Sequence, residues 1–168
     1  MANANSTLVT NFEATPPTPN DVANLGGKMR VACGTISLPV DDLSATDTVM
    51  LAGIPTNAAV VSIKLFNDDL DSTTGNITTD VGLYTSDGNV TAKDDDCYAS
   101  AITDLRAPVT AGTEVAFEAR DINKMGQKVW QDAGDSSDPG GTYNVGLKFD
   151  AAGNTAGDLS WLITYIVD

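Results

Sequence analysis

The chain has 168 residues, 42% of them apolar, and its 23 acidic against 9 basic residues give a formal net charge of −14. This length and apolar content suffice for one globular core. The excess of acidic residues excludes nucleic-acid binding through a basic surface. No apolar run reaches the roughly 18–20 residues of a membrane span. The sequence contains no histidine, which excludes catalysis or metal binding by histidine.

Residues 1–27 are predicted to form an extended arm in front of the globular domain. They contain three prolines between residues 16 and 19 and no Lys or Arg. Closely spaced prolines favour polyproline II conformation and disfavour regular helix or sheet. A disordered tail without a role is the alternative. Leu8, Val9 and Phe12 nevertheless offer a partner apolar groups to bind.

The N-terminal residues have neither the basic nor the apolar stretch of a secretory signal. We therefore expect synthesis in a reducing cytoplasm, where Cys33 and Cys97 are free thiols and Cys33 is buried in a strand. A disulfide formed later, in an oxidising exterior, is the alternative.

Alternation of apolar and polar residues predicts β-strands from residue 28 onward. In the first half of the chain the predicted strands are 28–38, 47–52, 58–67 and 77–85. The clearest alternation lies in 58–67, where Val61, Ile63 and Leu65 point to one side.

The second half continues this pattern with one interruption. The predicted strands are 113–119, 142–150 and 158–167, while 91–106 is polar and ambiguous. Residues 121–133 are predicted to hold one or two turns of amphipathic helix. Seven or eight strands, separated by turns every eight to twelve residues, predict an all-β antiparallel sandwich over residues 28–168, jelly-roll-like and with one short helix.

The sequence has no catalytic motif, and we do not expect an enzyme or a bound cofactor. It contains no Ser-x-x-Lys pair, no Gly-x-Ser-x-Gly elbow and no Cys-x-x-Cys pair. A nucleophile would also need a base other than histidine.

Two acidic runs and a set of aromatic residues allow other kinds of binding. Asp68-Asp69-x-Asp71 and Asp94-Asp95-Asp96 supply the oxygen ligands that calcium prefers. Neither has the spacing of a calcium-binding loop, which favours solvated loops instead. The aromatic side chains that could stack on a sugar alternate within strands, which favours core packing. They are Trp130, Tyr143, Phe149, Trp161 and Tyr165.

Three stretches of the chain carry a family resemblance: the early strand 29–36, the segment 49–70 with its proline-containing turn and long apolar strand, and the segment 128–167 with Asp138-Pro139-Gly140-Gly141. In this order they resemble small virion proteins encoded in the head gene clusters of tailed phages. The resemblance covers roughly residues 28–168. It implies a structural role on the virion, most often as a capsid decoration, or cement, protein.

A decoration protein binds the major capsid protein on the exterior of the virion, after synthesis in the bacterial host cytoplasm. We expect no nucleic-acid or membrane partner, and a homo-oligomer with closed symmetry, a trimer being favoured over a dimer. The arm would lie across seams between capsid subunits by strand addition. Its candidate capsid-contact residues are Leu8, Val9, Phe12, Pro16, Pro17 and Pro19.

Two alternative functions remain open from the sequence. One is another virion part, namely a head fibre, a tail protein or a receptor-contact protein. The other is a calcium-dependent carbohydrate-binding module, which would need a metal site and exposed aromatic side chains.

Overall fold

The computed structural model describes residues 4–72 and 75–167, and over these residues β-strand is the predominant regular secondary structure. The strands are β1 (Lys28–Leu38), β2 (Thr48–Pro55), β3 (Ala59–Asn67), β4 (Thr78–Thr85), β5 (Ala92–Ile102), β6 (Val109–Glu114), β7 (Thr142–Ala151) and β8 (Gly157–Val167). The α-helices are α1 (Thr7–Glu13) and α2 (Val129–Asp132), and three single 3-10 turns cover Val40–Asp42, Asp104–Arg106 and Ile122–Lys124.

The strands form two four-stranded antiparallel sheets that pack face to face. The first sheet has the order β1-β8-β3-β6, and the second has the order β2-β7-β4-β5. The chain therefore crosses between the sheets after β1, β2, β3, β5, β6 and β7, and stays in one sheet only between β4 and β5. This is the order of an eight-stranded jelly roll. The predicted fold class is confirmed.

The core lies between the two sheets and is built from alternate residues of each strand. The first sheet contributes Ile63, Leu65 and Ile163, and the second contributes Val81 and Leu147, all fully buried. Burying one such side chain contributes about 1.5–3 kcal/mol. The alternation that predicted the strands therefore reflects the inner face of a sandwich.

The helical predictions need two adjustments. The arm contains the helix α1, in place of the extended conformation that its prolines predicted. The prolines follow this helix instead of interrupting it, and Ser6 caps it by accepting a hydrogen bond from the Val9 N–H. The segment 121–133 forms a 3-10 turn and the four-residue helix α2 instead of one amphipathic helix.

The sixth strand lies earlier than predicted, at Val109–Glu114. The Glu114 carboxylate accepts hydrogen bonds from the backbone N–H groups of Ile63 and Ala116, both about 3 Å long. The Ile63 N–H thus bonds to a side chain and not to the backbone of the neighbouring strand, although the Val115 N–H still donates to the Ile63 carbonyl at 2.8 Å. The regular strand ends at Glu114, and Val115 and Ala116 beyond it are buried.

The prediction that Cys33 is buried is wrong. Cys33 lies on β1 opposite Leu162 of β8, on the outer face of the first sheet, and is exposed. Alternation separates the two faces of a strand but does not say which face the second sheet covers. Both cysteines are free thiols, as expected. No helix in the described part of the chain is long and apolar enough to cross a membrane.

Candidate functional site

The arm forms a closed hook. After α1 the chain turns back, so that the Thr18 N–H donates to the Asn11 carbonyl at 2.9 Å. The Asn11 side-chain amide donates to the Asn20 side chain at 2.8 Å, and Asn20 donates to the Leu8 carbonyl. These bonds hold the proline segment against the helix. Residues 4–27 therefore contain no β-strand in this conformation. Binding by strand addition stays a prediction and would require the arm to change its conformation.

The hook leaves its apolar side chains accessible. Phe12 is 76% exposed and Val9 is 42% exposed, whereas Leu8 is half-buried. The prolines of the candidate contact set are exposed as well, namely Pro16, Pro17 and Pro19. The structure thus brings the predicted contact residues into one small element, whose helix and proline segment are tied together through Asn11 and Asn20.

A turn over residues 21–25 attaches the hook to the sandwich. Asp21 accepts hydrogen bonds from the Ala23 N–H through its side chain and from the Asn24 N–H through its carbonyl. Ala23 is buried, and the Asn24 side chain lies so close to Gly126 that a Cβ there would displace it. The arm is therefore fastened to the segment that precedes α2.

The first acidic run is used to hold its own loop. The Asp71 carboxylate accepts hydrogen bonds from the backbone N–H groups of Asn76 and Ile77, and Asp69 accepts one from the Asp71 N–H. Asp68 accepts a bond from the Asp158 N–H at 2.9 Å. Among the described residues, no group of three or more Cys, Asp or Glu side chains is arranged to hold a metal ion.

The second acidic run is not a loop, contrary to the prediction. Asp94, Asp95 and Asp96 lie in β5. Asp95 pairs with Lys148 at 2.8 Å, and this hydrogen bond lowers the pKa of the Asp95 carboxyl. Burial, together with the neighbouring Asp96, raises the pKa of Asp94. Lys148 also lies within 4 Å of Asp80 and Asp150. The second sheet therefore presents an acidic outer surface around a single lysine.

The aromatic residues do not form a common exposed face. Tyr143 and Phe149 are buried, and Trp161 and Tyr165 pack against the core. Trp130 lies apart from the strands, on α2, and is half-buried. Core packing was the favoured interpretation for the strand aromatics, and it is confirmed.

The first sheet differs from the second in charge and polarity. Its outer face carries Met29 (64% exposed), Val31 (55% exposed) and Cys33 on β1. Beside them stand the half-buried Leu162 and Ile166 of β8. The sequence analysis did not single out this apolar face. Met29, Val31 and Cys33 alternate with other residues in the sequence, but the only prediction made for them placed Cys33 in the interior.

The sandwich is open along the side where β1 and β2 lie. A cleft of about 530 Å³ runs between these strands and is lined by Ile36, Leu38, Val49 and Met50, with acidic residues at its rim. Ile36 points to the inner side of the first sheet and is still 37% exposed. The second sheet therefore does not cover the whole inner side of β1.

Solved structures of phage capsids share this fold. A chain of the cyanophage Pam1 capsid asymmetric unit matches over 100% of this chain and 100% of its own length, with 21% sequence identity and a TM-score of 0.60. A chain of the capsid of Ralstonia phage GP4 matches over 84% of this chain and 86% of its own, with 24% identity and a TM-score of 0.61. No protein-family model matches the chain, and no curated protein does.

These likenesses establish a class by its fold: the chain is an eight-stranded jelly roll of the kind found in phage capsids. The resemblance to phage virion proteins that the sequence suggested is confirmed at this level.

Proposed function

We propose that the protein is a structural component of a bacteriophage virion that binds the exterior of the major capsid protein shell and stabilises it, as a decoration or cement protein. The observation that carries this proposal is the match to a chain of the Pam1 capsid over the full length of both chains. That match includes the arm as well as the sandwich.

The arm supplies the groups for binding a shell. Phe12 and Val9 lie on α1, Phe12 with most of its surface exposed and Val9 with somewhat less than half. Burying a phenylalanine side chain against a partner contributes about 1.5–3 kcal/mol. Each copy therefore has a modest apolar anchor. Many copies on one shell stabilise it collectively, because each bound copy connects neighbouring capsid subunits.

The charge distribution supports a position outside the shell. A net charge of −14 keeps the free protein soluble and disfavours contact with packaged DNA. The acidic outer surface of the second sheet around Lys148 suits the side that faces solvent.

A binding role also fits the state of the thiols. Burial raises the pKa of the Cys97 thiol well above its ordinary value, which disfavours the reactive thiolate. Because the sequence also lacks the Ser-x-x-Lys, Gly-x-Ser-x-Gly and Cys-x-x-Cys motifs, we propose a protein without enzymatic activity.

The test is sedimentation of the purified chain with shells assembled from the major capsid protein of the same phage. We expect the chain to sediment with expanded shells and to raise the temperature at which they rupture. A Phe12→Asp variant should bind at least tenfold more weakly, because a carboxylate replaces the anchor. Binding of the wild-type chain only to tail parts or to cells would contradict the proposal and favour a fibre or receptor-contact role.

Val90→Asp is the matched control. Val90 is also exposed, lies in the turn between β4 and β5, and has a positive φ of 49°, which aspartate tolerates better than valine. The variant adds the same charge and should bind shells as the wild type does. Equal weakening by both variants would indicate charge repulsion and not loss of the anchor.

A further inference from the structure

The jelly roll has four edge strands, and three of them carry features that prevent pairing with another chain. In the second sheet, β2 ends in Pro55 and has a register shift between Met50 and Ala52. At the other edge, β5 has several register shifts and carries three consecutive aspartates. In the first sheet, β6 is six residues long and contains Gly112 with a positive φ. Prolines, bulges, charges and shortness all protect strand edges.

The fourth edge, β1, has none of these features along its central part. It has eleven residues and pairs with β8 in an unbroken register from Lys28 to Leu38. Residues 31–38 carry no charge and no proline. In the described part of the chain β8 is the only strand paired with β1. We call residues 31–38 on the side away from β8 the β1 edge.

The two ends of β1 have opposite charge. Lys28 and Arg30 stand at its start, and Asp41 and Asp42 follow its end in a 3-10 turn after Pro39. An antiparallel copy of the same strand would bring the basic end of each strand to the acidic turn of the other. A parallel copy would bring like charges together, which costs stability.

From this geometry we propose that two copies of the chain pair through the β1 edge as an antiparallel, two-fold dimer with Thr35 at the symmetry axis. The interface is isologous, because the same residues contribute from both copies. The proposal goes beyond the binding to a capsid and does not depend on it. It differs from the trimer that the sequence analysis favoured.

The register follows from the symmetry. A two-fold axis between antiparallel strands stands perpendicular to the sheet, so opposite residues must have the same parity to lie on the same face. With Thr35 opposite Thr35 of the second copy, Lys28 comes level with Asp42 of that copy. The uncharged residues 32–38 then face one another across the edge, and Val31 comes opposite Pro39 of the second copy.

The same register covers apolar surface on both faces. Ile36 comes opposite Gly34 of the second copy, and the Trp161 indole lies beside Gly34 within each copy, where a Cβ would meet it at 2.7 Å. The exposed Ile36 of one copy therefore reaches the aromatic side chain of the other at the open side of the sandwich. Met29 and Val31 of both copies join one continuous outer face.

Charge also favours a second copy of β1, and not the hook of a neighbouring arm, as the partner of the β1 edge. The hook with its attaching turn contains Glu13 and Asp21 and no basic residue, and the cleft beside β1 is lined by Asp41, Asp42 and Asp47. Docking of the hook there would bring carboxylates together. The strands of the first sheet hold three basic and two acidic residues, against two and five in the second sheet. The β1 edge is thus where two copies meet with little repulsion.

The first test is the mass of the purified chain by light scattering at micromolar concentrations. We expect twice the 17.4 kDa of one chain, and a monomer or a trimer would overturn the proposal.

A charge at the symmetry axis is the second test. Thr35→Lys should raise the dissociation constant of the dimer at least tenfold, because two lysines then meet at the axis. The matched control is Ser160→Lys on β8: the Thr35 and Ser160 hydroxyls bond to each other at 2.7 Å, so both variants lose the same hydrogen bond. Only Thr35→Lys should dissociate the dimer; a dimer retained by this variant would overturn the proposal.

Cysteine cross-linking tests the register. In a Cys33→Ser background, Thr35→Cys should form an intermolecular disulfide on mild oxidation, since directly opposite residues have Cα atoms about 4.5–5.5 Å apart. Ser37→Cys in the same background should not, because its own mate lies four residues away along the strand. With Cys33 retained, Ser37→Cys should cross-link to Cys33 of the second copy. A dimer that cross-links neither through Thr35→Cys in the Cys33→Ser background nor through Ser37→Cys with Cys33 retained would exclude pairing through this edge.

A charge exchange tests the two ends. Lys28→Asp alone should weaken the dimer several-fold, and Lys28→Asp combined with Asp42→Lys should restore most of the affinity. Absence of restoration in a folded double variant would contradict the antiparallel register.

Discussion

Arg120 and Asp132 form an ion pair inside the protein, with 2.8 Å between Nη1 and Oδ2 and side chains only 3% and 2% exposed. Tyr98 donates a hydrogen bond to the same carboxylate oxygen, and Arg120 Nη2 donates to the Val60 carbonyl at 2.8 Å. The network therefore joins α2 to β3 and β5. The arginine also lies over the Tyr98 ring. A buried pair adds little net stability by its presence, but removing one partner is costly.

The first prediction is that Asp132→Ala lowers the free energy of unfolding by about 3–5 kcal/mol, because it leaves the Arg120 charge buried without its partner. Urea unfolding at neutral pH measures this. Glu118→Ala, at an exposed carboxylate close by in the chain, should change stability by less than about 0.5 kcal/mol. The double variant Arg120→Met with Asp132→Leu should recover most of the loss. A single variant as stable as the wild type would show that solvent reaches this network.

The second prediction concerns pH. Burial raises the pKa of Asp132 from 3.8 to about 6, although the Arg120 charge opposes the shift. The folded state therefore holds this proton more tightly than the unfolded state does. The stability that Asp132 contributes is fully present below pH 3.8 and is lost as the pH rises through about 6.

The measurement is the free energy of unfolding between pH 4 and pH 7, in the wild type and in Asp132→Asn. Other acids have lowered pKa values, for example Asp95 and Asp135, and their contributions change in the opposite direction. The difference between the two proteins removes those contributions. We expect the wild type to lose stability relative to the variant as the pH rises from 4 to 6. A constant difference would contradict the raised pKa.

The sequence predicted strands well where alternation is unbroken. The segment 58–67 matches β3 to within one residue, and 142–150 and 158–167 match β7 and β8 equally closely. In these strands one face packs in the core, so apolar and polar residues alternate along the chain. At the start of β3 the register shifts between Val60 and Ser62, so Val60 is fully buried, whereas Val61, which was predicted to point the same way as Ile63, is only half-buried. The number of strands and their turns also predicted the sandwich.

Prediction failed where tertiary contacts change the local pattern. In β5, the residues from Asp94 to Ala99 lie opposite only Val81 to Leu83 of β4, so the strand bulges and its alternation is lost. In the arm, the capped helix α1 precedes the prolines, and the side-chain hydrogen bonds of Asn20 to Asn11 and to the Leu8 carbonyl hold the proline segment against it. Neither a bulge opposite a distant strand nor a long-range amide contact has a signature in local sequence.

The candidate surfaces show the same division. The apolar arm residues were recognisable because they stand in a segment whose sequence lacks the alternation of the strands. The β1 edge was not, because which strand lies at an edge depends on the order of the sheet. Only the pairing β1-β8-β3-β6 shows that one side of β1 has no neighbour.

The bulge of β5 leads to a third prediction, at Gly82 of β4. A Cβ at this position would lie 2.2 Å from the Asp94 carbonyl oxygen and equally close to the Asp95 backbone. Backbone atoms held in a sheet cannot move aside cheaply, so Gly82→Ala should destabilise the protein by about 1–3 kcal/mol or more. Urea unfolding gives the value.

Gly53→Ala is the control for Gly82→Ala. Gly53 also lies in a strand with an ordinary φ, and its Cβ would meet its nearest neighbour, the Asn144 side chain, at 3.4 Å. This contact is an ordinary one, so the variant should change stability by less than about 1 kcal/mol. Equal effects of the two substitutions would mean that the bulge does not press on Gly82.

The last prediction separates the arm from the sandwich. Deletion of residues 1–27 should leave a cooperatively folding jelly roll, because Ala23 is the arm's one buried apolar residue among those the structure describes. Deletion of residues 1–19 retains the turn that rests against Gly126 and should leave the free energy of unfolding unchanged. Both deletions remove α1 and should bind phage shells at least tenfold more weakly than the full chain, as measured by co-sedimentation. If the longer deletion abolishes cooperative unfolding, the arm is part of the folded core; if both fold and still bind shells as the full chain does, the capsid contact lies on the sandwich and not on the hook.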